Sequence, residues 1–264
     1  MDMQTPIIIS IEGNIGSGKS TLVDNLKQLY HNSNDIHFLQ EPVDVWNTIT
    51  DNDNKTILEK YYEDQDKYAF PFQMMAYISR ISILKQAIKN RKAKVIITER
   101  CVYTDSNVFA KMLFDTNKIG PIEYKIYKKW FDEFTEDMPI SHIIYVKVHP
   151  NTAFERVIKR NRQGETIPLQ YLQTCHHYHE EWLINSNDLS ILTLDGDIDV
   201  VDEPDITLKW LNEIRSFINK SLPQGEFIEN EMSKRLQNDI VHQKNNTFEN
   251  KYTDELIKNM EYEI

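Results

Sequence analysis

The chain has 264 residues, 40% of them hydrophobic, with four Trp, thirteen Tyr and eleven Phe, enough apolar material for one large domain with a sizeable core. A net charge of −11 gives no basic footprint for a nucleic-acid polymer, although local cationic patches can still hold small phosphates. Two cysteines, Cys101 and Cys175, make no disulfide framework and suit a reducing compartment, and no stretch reaches the ~20 apolar residues of a membrane helix.

The first element is the β-branched run Ile7–Ile11 in "IIISIEGNIGSGKSTL", which reads as a buried parallel strand. It starts so close to Met1 that no signal or transit peptide fits ahead of it, so a cytoplasmic setting and no membrane partner are expected. Three of the chain's seven glycines, Gly13, Gly16 and Gly18, follow within six positions. The spacing Gly13-x-x-x-x-Gly18-Lys19-Ser20, with a strand before it and a helical pattern from Leu22, is that of a P-loop. Such a loop turns backbone N–H groups towards phosphates at the positive end of a helix. Gly13, Asn14, Ile15, Gly16, Ser17, Gly18, Lys19, Ser20 and Thr21 are therefore the expected triphosphate cradle. Lys19 would reach the β- and γ-phosphates and Ser20 would hold Mg2+.

Further strands are predicted at Asp35–Gln40, Lys94–Glu99, His142–Val148 and Leu189–Leu194, and helices over Lys67–Asn90 and Thr104–Phe114. Strands alternating with helices predict an α/β fold of about five parallel strands flanked by helices. From about Ser221 the composition turns to Asn, Glu and Lys. Residues 1–220 are thus read as the folded domain and 221–264 as a polar tail, helical or disordered. Phe227, Met232, Leu236 and Ile240 fall about one helical turn apart within it.

In an open parallel sheet, ligands bind outside the carboxyl ends of the strands. The second strand ends at Glu41, and the third at Glu99 and Arg100, with Asp105 close behind. Phosphoryl transfer requires a metal-holding acid, a cation near the moving charge and a proton acceptor. Glu99 and Ser20 are candidates for Mg2+, Arg100 for a phosphoryl clamp, and Glu41 for the group that takes a proton from an acceptor hydroxyl. In "ERVIKRNRQGETIPL", Arg156 and Arg160 share a helical face, and Arg162 follows before a loop marked by Gly164 and Pro168. This is the composition of an arginine-rich lid that closes over phosphates and excludes water. "CHHYHEEW" holds Cys175, His176 and His179, and is read as a helix after the lid rather than a metal site.

With these residues assembled, the sequence resembles the deoxynucleoside kinase family from about Ile7 to Ile218, through "EGNIGSGKST", "EPVDVW", "FPFQMMAYISRI", "ERCVYTDSNVFA" and "RQGETIPLQYLQTCHHYHEEWL". The resemblance implies a P-loop kinase that moves the γ-phosphoryl group of ATP to the 5′-hydroxyl of a deoxynucleoside. It makes Glu41 the activating base, sets Gln73 on the nucleobase, and packs Phe72, Phe109 and Trp46 around it. Tyr62 and Glu165 would hold the 3′-hydroxyl, and Arg156, Arg160 and Arg162 would be lid arginines. Asp199 and Val200 would lie near the adenine of ATP. It further implies a homodimer through Lys67–Asn90 and a helix near Tyr124–Thr135, and feedback inhibition by a deoxynucleoside triphosphate.

Ala76, Arg80 and Asp105 stand where relatives preferring deoxycytidine or deoxyguanosine resemble this chain. A preference for deoxycytidine or purine deoxynucleosides over thymidine is therefore expected. Two features depart from the family pattern: Cys101 replaces the usual Ser, and the lid is about one residue short, with Gly164 in an often acidic place. A nucleoside-monophosphate kinase of the thymidylate-kinase type is the enzyme alternative, although a carboxylate at the acceptor end favours an uncharged hydroxyl. A nucleotide-dependent switch would need an Asn-Lys-x-Asp motif, which "NKTI" at Asn54 does not supply.

Overall fold

β-Branched side chains are stiff at χ1 and pack well on a pleated surface, and the five runs rich in them form one sheet. In the computed structural model, which describes residues 5–90, 92–136, 138–162, 165–198 and 204–228, these are β1 (Ile7–Glu12), β2 (Ile36–Leu39), β3 (Val95–Glu99), β4 (His142–Lys147) and β5 (Ser190–Asp195). All pair in parallel, in the order β2-β3-β1-β4-β5. The β1–β3 register runs from Ile7 opposite Val95 to Ile11 opposite Glu99. The α/β class and each strand expected from the sequence are therefore present, with no end moved by more than one residue.

The helices are α1 (Lys19–Leu29), α2 (Val43–Asn47), α3 (Ile57–Glu63), α4 (Gln65–Asn90), α5 (Val102–Thr104), α6 (Lys111–Asp115), α7 (Pro121–Thr135), α8 (Pro150–Arg160), α9 (Leu169–Ile184) and α10 (Pro204–Ser221). Local chemistry sets several starts. Thr56 and Glu59 close a reciprocal capping box on α3, and Pro121 and Pro150 occupy the first turns of α7 and α8, where no amide hydrogen is needed. The stretch expected as one helix from Thr104 to Phe114 contains a π-helical segment, Asp105–Ala110, between α5 and α6. Such widened turns recur at functional sites. Cys101 caps α5, with its thiol 3.6 Å from the Thr104 hydroxyl, a place a serine would also fill.

Residues Ile9 and Ile11 face one side of the sheet and pack with Val23 and Leu26 of α1 and Ile214 of α10. Ile8 and Ile143 face the other and pack with Tyr77 of α4 and Tyr127 of α7. A third cluster, with Trp46, Tyr61 and Phe72, fills the space between α2, α3 and α4 above the strand ends. Packing continues past residue 220, because Leu222 and Ile228 are buried in the first cluster. The rest of the tail, including Met232, Leu236 and Ile240, lies outside the described residues. No described helix is long and apolar enough to cross a membrane.

Candidate active site

The P-loop follows the central strand, so the carboxyl ends of β1, β3 and β4 converge on it. Its backbone is left-handed at Gly13 (φ +145°) and Gly16 (φ +81°). A Cβ on Gly13 would stand 2.5 Å from the Val146 carbonyl oxygen, and one on Gly16 would strike the Ala153 backbone. Close approach, as well as φ, therefore demands glycine there. Asn14 is buried and joins the loop to α9 by donating to the Leu172 carbonyl at 2.8 Å. Ile15 and Gly16 line the pocket, while Gly18 and Thr21 face solvent. Lys19 Nζ folds onto the Asn14 carbonyl at 2.6 Å and the Ser17 hydroxyl at 3.3 Å. Burial, reinforced by the Arg100 guanidinium, lowers the Lys19 pKa to about 7.

On the β3 rim, Ser20 Oγ donates to Glu99 Oε1 at 2.5 Å. The next residue, Arg100, is left-handed at φ +59°, a conformation that costs a non-glycine residue energy and clusters at functional sites. Its Nη1 forks onto both oxygens of Glu41 at 3.0 and 3.1 Å. Arg80 Nη2 adds a contact to Glu41 Oε1 at 2.5 Å, and Arg80 Nε grips both Asp105 oxygens at 2.9 and 3.2 Å. Burial opposes the Glu41 charge, yet Arg100 and Arg80 override it and hold the carboxyl down at about 2. At Asp105 burial prevails over Arg80, and its pKa rises to about 6.

Beyond this rim the pocket is lined by aromatic residues. Trp46 meets Phe72 edge-on at 5.4 Å, donates Nε1–H to Ser79 at 2.9 Å, and lies 5.4 Å from the Arg80 guanidinium. Gln73 is buried with its Oε1 unpartnered, and small Ala76 stands on the same wall. Tyr62, Phe109 and Glu165 also line the pocket. Leu58, Tyr61 and Tyr171 line it too, although sequence reasoning did not single them out. The Tyr61 and Tyr171 hydroxyls meet at 2.8 Å across 110 positions of chain, a pairing with no local sequence signal.

The lid arginines divide. Arg160 and Arg162 line the pocket, with Arg160 on Glu165 at 2.5 Å. Arg156 does not line it and instead donates to the carbonyls of Gly196 and Ile198 at 2.6 and 3.3 Å. Asp199, Val200 and Gly164 lie outside the described residues. In the histidine-rich stretch, His179 is buried, donates Nδ1–H to the Cys175 carbonyl at 2.7 Å, and is lowered by burial to about 3.

A P-loop at the head of a parallel sheet, with acids and arginines on adjoining strand ends, defines a P-loop kinase. Residues 9–219 match the model of the deoxynucleoside kinase family, and the chain belongs to that family. It is 34% identical over 226 residues to a probable deoxycytidine kinase of fowlpox virus, covering 83% of this chain and 91% of the relative. It is 32% identical over 238 residues to human deoxycytidine kinase, covering 79% and 90%. Human mitochondrial thymidine kinase 2 is 30% identical over 183 residues, covering 68% of this chain and 65% of the relative.

Proposed function

We propose that this deoxynucleoside kinase transfers the γ-phosphoryl group of ATP to the 5′-hydroxyl of deoxycytidine or a purine deoxynucleoside, in preference to thymidine. The observation that carries the reading is Glu41, held by Arg80 and Arg100 between the P-loop lysine and an aromatic pocket. An acid at the acceptor end repels a monophosphate and suits a neutral hydroxyl, so a thymidylate-kinase-type reaction is not favoured.

The donor set fits Mg2+. Ser20 and Glu99 offer oxygen only, and among the described residues no group of three His, Cys, Asp or Glu side chains could hold a metal. An ion that keeps waters and takes phosphate oxygens needs few protein ligands. Bound there, it would neutralise charge on the transferring phosphates. The chain's own groups do the rest. The P-loop N–H groups and Lys19 position the phosphates, Arg100 clamps phosphoryl oxygens as its fork leaves Glu41, and Glu41 orients the hydroxyl and takes its proton at a carboxylate oxygen. In a loose transition state this proton leaves late, so a weakly basic carboxylate suffices. Arg160 and Arg162 close the lid.

The nucleoside would occupy the cavity of about 100 Å³ between the P-loop rim and the aromatic wall. Gln73 and the Arg80–Asp105 pair would meet the base edge, and Tyr62 with Glu165 the 3′-hydroxyl. The unpartnered Gln73 Oε1 supports this placement, because a buried amide oxygen without a donor is costly. A homodimer is part of the proposal. Ile78, Trp130 and Phe134, exposed on α4 and α7, line an apolar groove of about 450 Å³, and Ile126 is also exposed on α7. So is a cytoplasmic setting, which two free, buried cysteines suit.

The test is kcat/KM for the four deoxynucleosides, and for their monophosphates, with ATP and GTP as donors. Deoxycytidine or a purine deoxynucleoside is expected to be best. Thymidine as best substrate refutes the preference, and a preferred monophosphate refutes the acceptor.

A further inference from the structure

One buried acid at the site has no role in the reaction as described. Glu12 ends β1 and is wholly inaccessible to solvent. Its Oε1 accepts the Ser10 hydroxyl at 2.5 Å, while its Oε2 is buried without a partner. An isolated carboxylate oxygen in the interior is strongly disfavoured unless a donor serves it.

Arg100 has the complementary defect. Its Nη groups are engaged, but its Nε–H is buried and unpaired. The two residues are neighbours by register. β1 pairs with β3 as Ser10 opposite Thr98 and Ile11 opposite Glu99, where the pairing ends, and Glu12 and Arg100 are the residues that follow on the two chains. Alternate side chains share a face, and the Thr98 hydroxyl reaches Ser10 at 3.4 Å on the face that Glu12 continues. Arg100 is also tied to the chain on either side of Glu12. Its backbone N–H donates to the Ile11 carbonyl at 3.0 Å, and its Nη2 to the Gly13 carbonyl at 3.5 Å. The Glu12 charge favours the protonated forms of Arg100, Arg80 and Lys19.

We propose that Glu12 is a positioning residue for Arg100, its free carboxylate oxygen serving the Arg100 Nε–H directly or through one water. The need follows from the reaction. Arg100 has to trade Glu41 for phosphoryl oxygens at its Nη edge, from a strained backbone, without losing the plane of its guanidinium. A second carboxylate fixed on the strand, at the Nε edge, holds that plane while the outer edge changes partner. The Ser10 hydroxyl fixes Glu12 in turn, a supporting shell of the kind that catalytic geometry requires. This inference rests on Arg100 being the phosphoryl clamp.

The test measures kcat and KM with the wild type's best deoxynucleoside and ATP for Glu12→Gln, Glu12→Asp, Arg100→Lys and the Glu12→Gln/Arg100→Lys double variant. Glu12→Gln is expected to lower kcat roughly 10- to 100-fold with nucleoside KM changed by less than about threefold, and Glu12→Asp to restore part of the loss. In the Arg100→Lys background the same change is expected to cost less than about threefold, because its partner is gone. An equal loss in both backgrounds, or no loss in either, overturns the proposal. Should Glu12→Gln not fold, the wild-type Arg100 Nε–H resonance, assigned by its disappearance in Arg100→Lys, decides the matter. Slow solvent exchange supports the anchor, and exchange at the rate of a free guanidinium overturns it. A wild type inactive on every deoxynucleoside would instead sink the functional reading, and the resonance would then decide the role of Glu12 by itself.

Discussion

At the phosphate end of the site, recognition is built from backbone: nine consecutive residues, Gly13–Thr21, wrap a loop in which two glycines are pressed against the chains of β4 and α8. At the nucleoside end it is built from side chains, with Trp46, Tyr62, Phe72, Gln73, Asp105 and Phe109 drawn from α2, α3, α4 and the π-helical segment. On the proposed function, the first design reads phosphates whatever carries them, and the second discriminates among bases through a few buried polar groups, which a wrong base leaves unpaired. Damage at the junction should therefore slow every substrate alike, and damage at the nucleoside end should change the ranking of substrates.

Glu41 lies at that junction, and its replacement gives the largest expected effect. In Glu41→Gln, kcat should fall roughly 10²- to 10³-fold for every deoxynucleoside, the usual scale for removing a proton acceptor. ATP affinity should change little, because the P-loop does not depend on Glu41. Arg80 and Arg100 each lose an anionic partner, so a drop in Tm is expected alongside. Full turnover in this variant would remove Glu41 from the reaction.

The nucleoside end is tested by Arg80→Met/Asp105→Ala, which removes the buried pair together and strands neither charge against the other. The ratio of kcat/KM for deoxycytidine over thymidine should fall roughly 10- to 100-fold, the scale of one or two lost polar contacts in a closed pocket. KM for ATP should stay within about threefold. An equal loss on both nucleosides would mean that the pair reads nothing and serves only to hold α4 to the π-helical segment and Glu41 in place.

The same contrast explains what could be read from the sequence. The P-loop is legible because its parts are contiguous and its glycines are demanded by backbone geometry. Glu41, Glu99 and Arg100 are legible because a parallel sheet delivers its strand ends to one rim. Gln73 and Arg80 lie inside a long helix whose buried face mixes core and pocket, so family resemblance singled them out and periodicity did not. Tyr61 and Tyr171 were missed because nothing distinguishes a pocket-lining tyrosine from a core one until the chain has folded. Arg156 was legible as part of a basic face, but its partners are carbonyls some forty residues on. Glu12 was not singled out, because it lies just past the strand read at Ile7–Ile11 and its unpartnered oxygen exists only once the chain has folded.

The smallest expected effect concerns the cost of burying a cation where a polyanion is meant to sit. Lys19 has its pKa lowered to about 7 in the free protein, against an ordinary lysine value near 10.4. Between those values the unfolded chain binds more protons at this position than the folded one, so the destabilising cost of the buried ammonium is full below about pH 7 and fades as pH rises across that window. A bound triphosphate reverses the preference, because its charge favours the ammonium form. ATP binding above pH 7 therefore takes up a proton, and affinity should weaken roughly tenfold between pH 7 and 8.5. Titration calorimetry in two buffers of different ionisation enthalpy should show uptake approaching one proton at pH 8.5 and clearly less at pH 6. Uptake that is absent at pH 8.5 would mean that Lys19 is already charged in the free loop. The fold of Nζ onto the Asn14 carbonyl would then be a charged contact waiting to be exchanged for phosphate, and the phosphate end would be set for its ligand by charge as well as by backbone.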